Sequence, residues 1–579
     1  MTYALQAAQR IKCKFRSSTL SFLFIIAYVN LFPILFGPEN SIVGVIFTIM
    51  MSASMVRDLT ATPFRHLARQ SALLVWMAVA ACLVTVLPAP WSLAVNFATL
   101  FGILYTFTYE YSSHIYFPYI LSYLFLIFIS PVGTENLGRR ILGMLAGAVS
   151  IILYQWFMGR NRAEETAKDE LGEMTEDIRA LIAGRQSGAP ACPDMDSMHR
   201  KLCRLSRTVY ERRKKVLCIS DASFSMVAAG RGLEHLLTLV CELPDPLTDK
   251  DRAFLSQLDR HLAAFSAYLC RETAEIPEIP ADSFCDLECE ETARLFCRTL
   301  VYIRDRLLHM RDPEKRAHYR KTALSFRVRL MAALDVSPVR AVYALRTALL
   351  LSCATLFVQA FSLPHGKWLL FTLASVSLPY ADDVPVKMKK RVQATITGGL
   401  ISVVLYALIS SPAGRTAAMM LSGYLSFYFT DYAETFACST VGALGGAVFM
   451  EMFGFRAVGS VFLIRLGYIL AGATLAYAAN CLLFPFSRAL ATRQLWKKYK
   501  SITELLTRVC HSEDADPQLY YSLVIQAYLL EEKLTKNAHL EEWAQLPLLL
   551  AQCREQVRLA HRDRAERAGA PVFEGGHLR

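Results

Sequence analysis

Arg140-Ile-Leu-Gly143-Met-Leu-Ala-Gly147-Ala148 and Arg465-Leu-Gly467-Tyr-Ile-Leu-Ala-Gly472-Ala473 say nearly the same thing in two places. Each opens a long apolar run with an arginine, and the register differs by 325 (465 − 140). A second echo, Phe47-Thr48 followed by Asp58 and a basic cluster, recurs as Phe371-Thr372, Asp382 and a basic cluster at an offset of 324 (371 − 47). The chain reads as a duplicated hydrophobic module. Internal repeats in an apolar chain are a common sequence mark of membrane transporters.

Composition agrees. The hydrophobic fraction is 54% over 579 residues, and the apolar residues gather in two blocks instead of spreading evenly. Crossing about 30 Å of hydrocarbon takes roughly 20 apolar residues in a helix. The first block offers spans near 19 to 36, 41 to 56, 71 to 88, 91 to 108, 115 to 131 and 140 to 158. The second offers 342 to 361, 367 to 381, 392 to 410, 416 to 431, 435 to 453 and 461 to 484. Several are short, so ten to twelve spans are expected. The first run follows Arg10, Lys12, Lys14 and Arg16; it lacks a small-x-small cleavage site and reads as a retained helix, not a signal peptide. The fold class expected is an all-α integral membrane protein. It comprises two parallel-repeat transmembrane bundles of about six spans each, 1–158 and 342–486, with helical cytoplasmic domains at 159–341 and 487–579.

Lysine and arginine in the short loops give the orientation. Arg57, Arg65 and Arg69 lie between spans two and three, and Lys387, Lys389, Lys390 and Arg391 lie at the matching place in the second half. With both loops facing the cytoplasm, the two termini and the central domain are cytoplasmic, and both halves start inside. The net charge of +12 belongs mostly to these flanks and points to membrane lipid headgroups as partners, not to nucleic acid.

The 15 cysteines are scattered. Cys285 and Cys289 form the closest pair, without the second pair or histidines that a metal site needs, so no metal and no cofactor is expected. In the central domain Phe296, Leu300, Ile303 and Leu307 repeat at helical spacing, and Thr248-Asp-Lys-Asp251 reads as a capping box. The tail reads as a helical hairpin over Leu519 to Leu534 and Leu546 to Leu559, with a frayed polar end from Arg562. No Gly-Lys-Ser or Gly-Lys-Thr loop, His-Glu-x-x-His or Gly-x-Ser-x-Gly is present, which speaks against an enzyme and against an ATP-driven pump whose nucleotide site is on this chain.

An ionisable group inside a span needs a partner or a watered path. Arg140 and Arg465 have two readings: snorkelling to the headgroups, or guanidinium forks facing a path for an anion. Their repetition favours the second. Asp58 and the pair Asp382-Asp383 either cap helices and pair with nearby cations or carry a coupled proton. Glu110, Asp431 and Glu434 close span four of each half without adjacent basic residues in the sequence, which makes them the better proton-coupling candidates. Aromatics precede those acids, Tyr428 among them, and serve either as an interfacial belt or as a stacking surface for an aromatic substrate.

The segment Arg340-Ala-Val-Tyr-Ala-Leu-Arg346, then His365-Gly366-Lys-Trp368, Phe371-Thr372, Pro379, the cluster ending at Arg391, and Thr395-x-x-Gly398 resembles the fusaric acid resistance and aromatic acid exporter family. Lys367 stands where that family usually has Tyr, and Ala394 where Gly is typical; Arg465 and Pro485 also fit. The resemblance covers about 340 to 490 and leaves only Arg16, Phe47-Thr48 and Arg140 in the first half. It implies a bacterial inner-membrane protein that exports aromatic carboxylic acids or related toxic compounds. Distantly similar plant organic-anion channels use pore arginines, which points to Arg346, Arg391 and Arg465, and Trp368 is a further substrate-binding candidate. The reading is then an exporter of small organic acids driven by the proton gradient, working as a homo-oligomer and with room for a periplasmic adaptor subunit. A passive anion channel and a non-transporting envelope scaffold are the alternatives.

Overall fold

The computed structural model describes residues 2–55, 63–109, 114–159, 162–188, 194–212, 219–280, 290–310, 337–409, 411–429, 431–450, 458–512, 517–541 and 543–568. Among them are twenty α-helices and no strand. In chain order the first six are α1 (Thr2–Phe36), α2 (Ser41–Ser54), α3 (Pro63–Val86), α4 (Ala89–Phe107), α5 (Tyr116–Phe128) and α6 (Leu137–Gly159). A polar stretch follows with α7 (Arg162–Ser187), α8 (Met195–Arg212), α9 (Asp221–Glu242), α10 (Asp249–Leu269) and α11 (Glu290–His309). The second apolar block holds α12 (Pro338–Ala360), α13 (Lys367–Val376), α14 (Val384–Leu408), α15 (Pro412–Leu425), α16 (Tyr432–Met450) and α17 (Val458–Leu482). The tail adds α18 (Arg488–His511), α19 (Pro517–Glu541) and α20 (Leu546–Ala568), so the helix runs past Arg562, where fraying was expected.

These helices form two compact units. One unit joins Met1–Val56, Pro63–Met158 and Ser337–Arg488; the other joins Gly159–Val336 and Ala489–Arg579. In the first unit large apolar side chains face outward, among them Leu20, Ile34, Leu142, Phe157, Leu400, Leu408, Leu463 and Leu482. Such a surface is stable against hydrocarbon and not against water. Seven helical segments among the described residues are long and apolar enough to cross a membrane: Ser18–Phe36, Pro63–Val86, Ala89–Phe107, Thr134–Phe157, Pro338–Ala360, Ala381–Leu408 and Val458–Leu482. The chain is therefore a multi-pass α-helical membrane protein. Shorter apolar helices stand beside these seven. α5 has 13 residues and α13 has 10, which rise only about 20 Å and about 15 Å at 1.5 Å per residue.

The duplicated sequence has a structural counterpart. α1 and α12 end 324 residues apart (360 − 36), and α6 and α17 end 323 apart (482 − 159). Gly147 on α6 lies against the ring of Phe47 on α2, so closely that a Cβ there would sit 2.0 Å from Phe47 Cζ. The matching Gly472 on α17 lies against α13, where a Cβ would meet the Leu369 carbonyl at 3.0 Å and Thr372 Cβ at 3.1 Å. The matching pair of helices thus approaches closely in both halves, although Phe371, the counterpart of Phe47, packs on Phe125 while Gly472 meets Leu369 and Thr372. A small residue is what lets two membrane helices approach this closely. Gly147→Ala is expected to wedge α6 from α2, because Phe47 is fully buried and has nowhere to move. Overpacking of this kind costs about 1–3 kcal/mol, readable as a lowered melting temperature in detergent; an unchanged melt would refute the contact.

The two halves are not separate bundles. α12 packs along α4, with the Arg340 guanidinium 4.5 Å from the centre of the Tyr105 ring. Phe371 of α13 meets Phe125 of α5 at 4.9 Å between ring centres, and Tyr424 of α15 hydrogen-bonds Thr19 of α1 at 2.8 Å. Each half thus covers apolar surface of the other.

The second unit is a water-type helical fold around α9, whose Phe224 to Gly232 face is buried among α7, α8 and α11. The stripe Phe296, Leu300, Ile303 and Leu307 is buried as its spacing predicts. Thr248 and Asp251 form the expected capping box, Asp251 N donating to Thr248 Oγ1 at 3.2 Å and Thr248 N to Asp251 Oδ2 at 3.0 Å. The tail hairpin is α19 and α20, and α19 packs on α8. Cys285 and Cys289 lie outside the described residues, as do Asp58 and Glu110.

Candidate functional site

Five arginines of the apolar unit are buried among the described residues; Arg340 donates to the Tyr105 carbonyl, and the surroundings of the other four divide them into two kinds. Arg140, 1% exposed, donates from Nη2 to the Glu39 carbonyl and to Ser130 Oγ, each at 2.9 Å, and from Nη1 to the Ser130 carbonyl at 3.2 Å. It fastens the start of α6 to the ends of two other segments, and being buried it does not snorkel to headgroups. Arg346, also 1% exposed, donates to the carbonyls of Leu378 at 2.7 Å and of Pro379 and Phe484 at 3.3 Å. It ties α12 to the C-terminal ends of α13 and α17. Both guanidiniums are occupied as clamps on backbone acceptors that the helix ends leave over.

Arg391 and Arg465 are different. Arg465 projects from α17 at the position that Arg140 holds on α6, is 7% exposed, and its guanidinium carbon lies 5.4 Å from the centre of the Trp368 ring. Arg391 projects from α14, is 6% exposed, and lies 4.3 Å from the centre of the Phe436 ring on α16. The charges of the two act on each other. Among the described residues neither has a carboxylate within ion-pair distance, and the contacts that remain are the aromatic faces and, for Arg391, the Tyr432 hydroxyl. A cation–π contact supplies about 2 kcal/mol when desolvated, whereas taking a charge out of water costs several kcal/mol. The pair is therefore short of negative charge.

The local framework explains how the two come together. Gly399 of α14 faces Phe462 of α17 so closely that a Cβ there would lie 2.0 Å from the ring, which brings α14 against α17. Trp368 packs with Leu444, Val461 and Phe462, and its ring stacks on His365 at 4.9 Å. The site thus offers two guanidinium forks beside an indole. Chemically this arrangement suits a carboxylate, which Arg binds through two parallel hydrogen bonds, attached to a flat apolar body.

The other residues singled out in the sequence lie elsewhere. Tyr428 shares its hydroxyl with Tyr424 at 2.6 Å, and Tyr424 continues to Thr19, a cluster that does not include Trp368 or Arg465. Asp431, expected to lack a basic neighbour, pairs with Lys390 Nζ at 2.6 Å and accepts from Ala433 N at 2.8 Å, capping α16. The expectation failed because Lys390 sits 41 positions earlier on α14. Asp382 accepts the backbone N–H of Arg488 at 2.5 Å, while Asp383 pairs with the Arg488 side chain, so this pair caps and anchors the start of α18. Glu434 is exposed in the first turn of α16.

Sequence reasoning missed Phe436, the ring beneath Arg391. It also missed a second polar cluster, in the water-type unit. There His199 lies between Glu234 at 2.9 Å and Glu531 at 3.1 Å, and Glu531 also pairs with Arg554. Burial opposes a charge on His199, but its bonds to Cys203, Glu234 and Glu531 outweigh that and hold its pKa above the ordinary value. The signal available was a histidine, an arginine and acids on otherwise apolar helix faces.

A multi-pass helical membrane protein with a buried cationic and aromatic site is the class that this fold defines. Residues 353–479 match the family described as fusaric acid resistance protein-like, which bears out the resemblance over α12 to α17 and includes both Arg391 and Arg465. That family is one of membrane transport and resistance proteins. No curated protein and no solved structure matches the chain.

Proposed function

We propose that this chain is a bacterial inner-membrane exporter of weak organic anions, aromatic carboxylic acids above all, and that the proton gradient drives it. The observation that carries the reading is the buried pair Arg391 and Arg465, set against Phe436 and Trp368 with no carboxylate partner among the described residues. A carboxylate that meets both forks supplies the missing charge, and its ring has the indole face of Trp368 to lie on. In this reading both termini and the polar unit face the cytoplasm, as the basic residues Arg65 and Arg69 near the start of α3 and Lys387, Lys389 and Lys390 near the start of α14 imply. Glu434, exposed three positions after the paired Asp431, is the group proposed to exchange the coupled proton.

The test is flux of radiolabelled 4-hydroxybenzoate in proteoliposomes holding the full chain. Concentrative movement that appears only with an imposed pH difference is expected. Equal downhill flux with and without the gradient makes the protein a passive channel, and no flux in either condition rejects transport of this class.

A further inference from the structure

The polar unit contains a cavity of about 490 Å³ between the central helices and the tail. That volume falls in the range of small-molecule sites. Leu239, Leu295, Leu506 and Val524 line its apolar side with Tyr499 and Tyr528, and the exposed Met195, Asp196 and Arg558 stand at its mouth. The charged residues inside are not equivalent. Glu234 and Glu531 are already committed to His199, and Glu531 also to Arg554.

Arg231 is left over. It is 9% exposed, lines the cavity, and makes one hydrogen bond, from Nη1 to the Tyr520 hydroxyl at 3.1 Å. Among the described residues no carboxylate lies within ion-pair distance of it. A neutral phenol does not offset a buried charge, and a desolvated unpaired cation costs several kcal/mol. Nearby His235 carries no charge at neutral pH to compete for an anion, since burial first, with Arg558 and Arg231 adding to it, lowers its pKa to about 4. A cationic ligand would find both inner carboxylates occupied. A polyphosphate would need several unpaired cations, where one is available.

We propose that this cavity is a binding site for a compact organic monocarboxylate with an aromatic or alicyclic body, the carboxylate on Arg231 and the body between Leu239, Val524 and Tyr528. It would let the polar unit sense the class of anion that the membrane unit carries; that regulatory sense, unlike the binding site itself, rests on the transport reading above. The burial of an unneutralised charge then has a use: it holds the site ready at some expense of stability.

The test is calorimetric titration of the full chain in nanodiscs with benzoate, with benzamide as its neutral counterpart. The variants are Arg231→Gln, Ala527→Trp, which fills the cavity from α19, and Arg465→Gln in the membrane unit. Saturable benzoate binding is expected that Arg231→Gln and Ala527→Trp each weaken at least 10-fold, that Arg465→Gln leaves in place, and that benzamide fails to reproduce within 10-fold. Arg231→Met, which removes a buried unpaired charge, is expected to melt no lower than the parent chain while also losing binding, and this separates loss of ligand from loss of fold. Benzoate binding that survives both cavity variants in the Arg465→Gln background, binding lost in Arg465→Gln alone, equal affinity for benzamide, or no saturable binding at all overturns the proposal. Binding that depends on Arg231 together with no flux in proteoliposomes leaves this site standing and removes the transport reading.

Discussion

Arg465→Gln is expected to reduce gradient-driven flux of 4-hydroxybenzoate about 100-fold, with Arg465→Lys retaining about a tenth of parental flux. A hydrogen bond to a charged group contributes about 1.5–3 kcal/mol, and about 1.4 kcal/mol is tenfold, so losing both arms of a fork supplies an effect of this size. Lysine keeps the charge but presents a point donor where a carboxylate meets a planar fork. Arg140→Gln provides the contrast. That residue holds the equivalent helix position, but its donors already serve the Glu39 and Ser130 carbonyls. It should lower the yield of folded protein and leave flux per folded molecule near the parental value. Unchanged flux in both Arg465 variants would remove the arginine pair from the transport path.

How much of this was legible in the sequence depends on the range of the interaction. The repeat could be read because Gly147 and Gly472 serve the same local need, close approach of one helix to its neighbour, and local needs leave the same residue in both copies. Helix existence was legible for the same reason, since apolar runs such as Val342 to Phe361 carry their own period and length. Span length was not: α13 stops after Val376 at Ser377 and Leu378, whose carbonyl is held by Arg346, a tertiary contact that no run of hydropathy reports. Nor was the interlocking of the halves, which rests on pairs such as Phe125 with Phe371.

The candidate site divides along the same line. Repetition and resemblance pointed to Arg140, Arg346, Arg391 and Arg465 alike, because an arginine in an apolar helix has the same appearance whether it clamps carbonyls or waits for an anion. Only the position of the acceptors separates them, and the acceptors of Arg140 and Arg346 are mainly backbone carbonyls, which every residue supplies. The polar cluster of His199 and Glu531 escaped notice because its members are 332 positions apart (531 − 199) and meet only when α19 packs on α8.

Replacing Glu531 tests that packing most severely. Glu531 is 3% exposed and stands between two cations, His199 and Arg554. Removing one partner of a buried charge network leaves the others uncompensated, at about 3–5 kcal/mol. For Glu531→Ala a melting temperature lower by about 10 °C is therefore expected, taking about 2–4 °C per kcal/mol for a unit of this size. Faster hydrogen exchange should appear in α8 and α19. The double variant with His199→Gln should recover part of the loss, because the charge left stranded goes with it.

The pH dependence has a definite sign. Burial raises the Glu531 pKa, but the bonds to His199 and Arg554 more than reverse this and hold it below its ordinary 4.5. Its contribution is thus present above about 4.5 and is lost as pH falls through the folded value. The gap between parent and Glu531→Ala should accordingly close as pH falls below about 4.5, while His199, whose raised pKa Glu531 helps to hold, keeps the gap open between about 4.5 and 6.5. His235 acts in the parent and the variant alike: held neutral with its pKa near 4 against an ordinary 6.5, it withdraws stability from both as pH falls from about 6.5 to about 4, and so shifts both curves without closing the gap. A melting difference of less than about 2 °C at pH 7, or a gap that stays open well below pH 4.5, would show that Glu531 is not what holds the tail helices to the central ones.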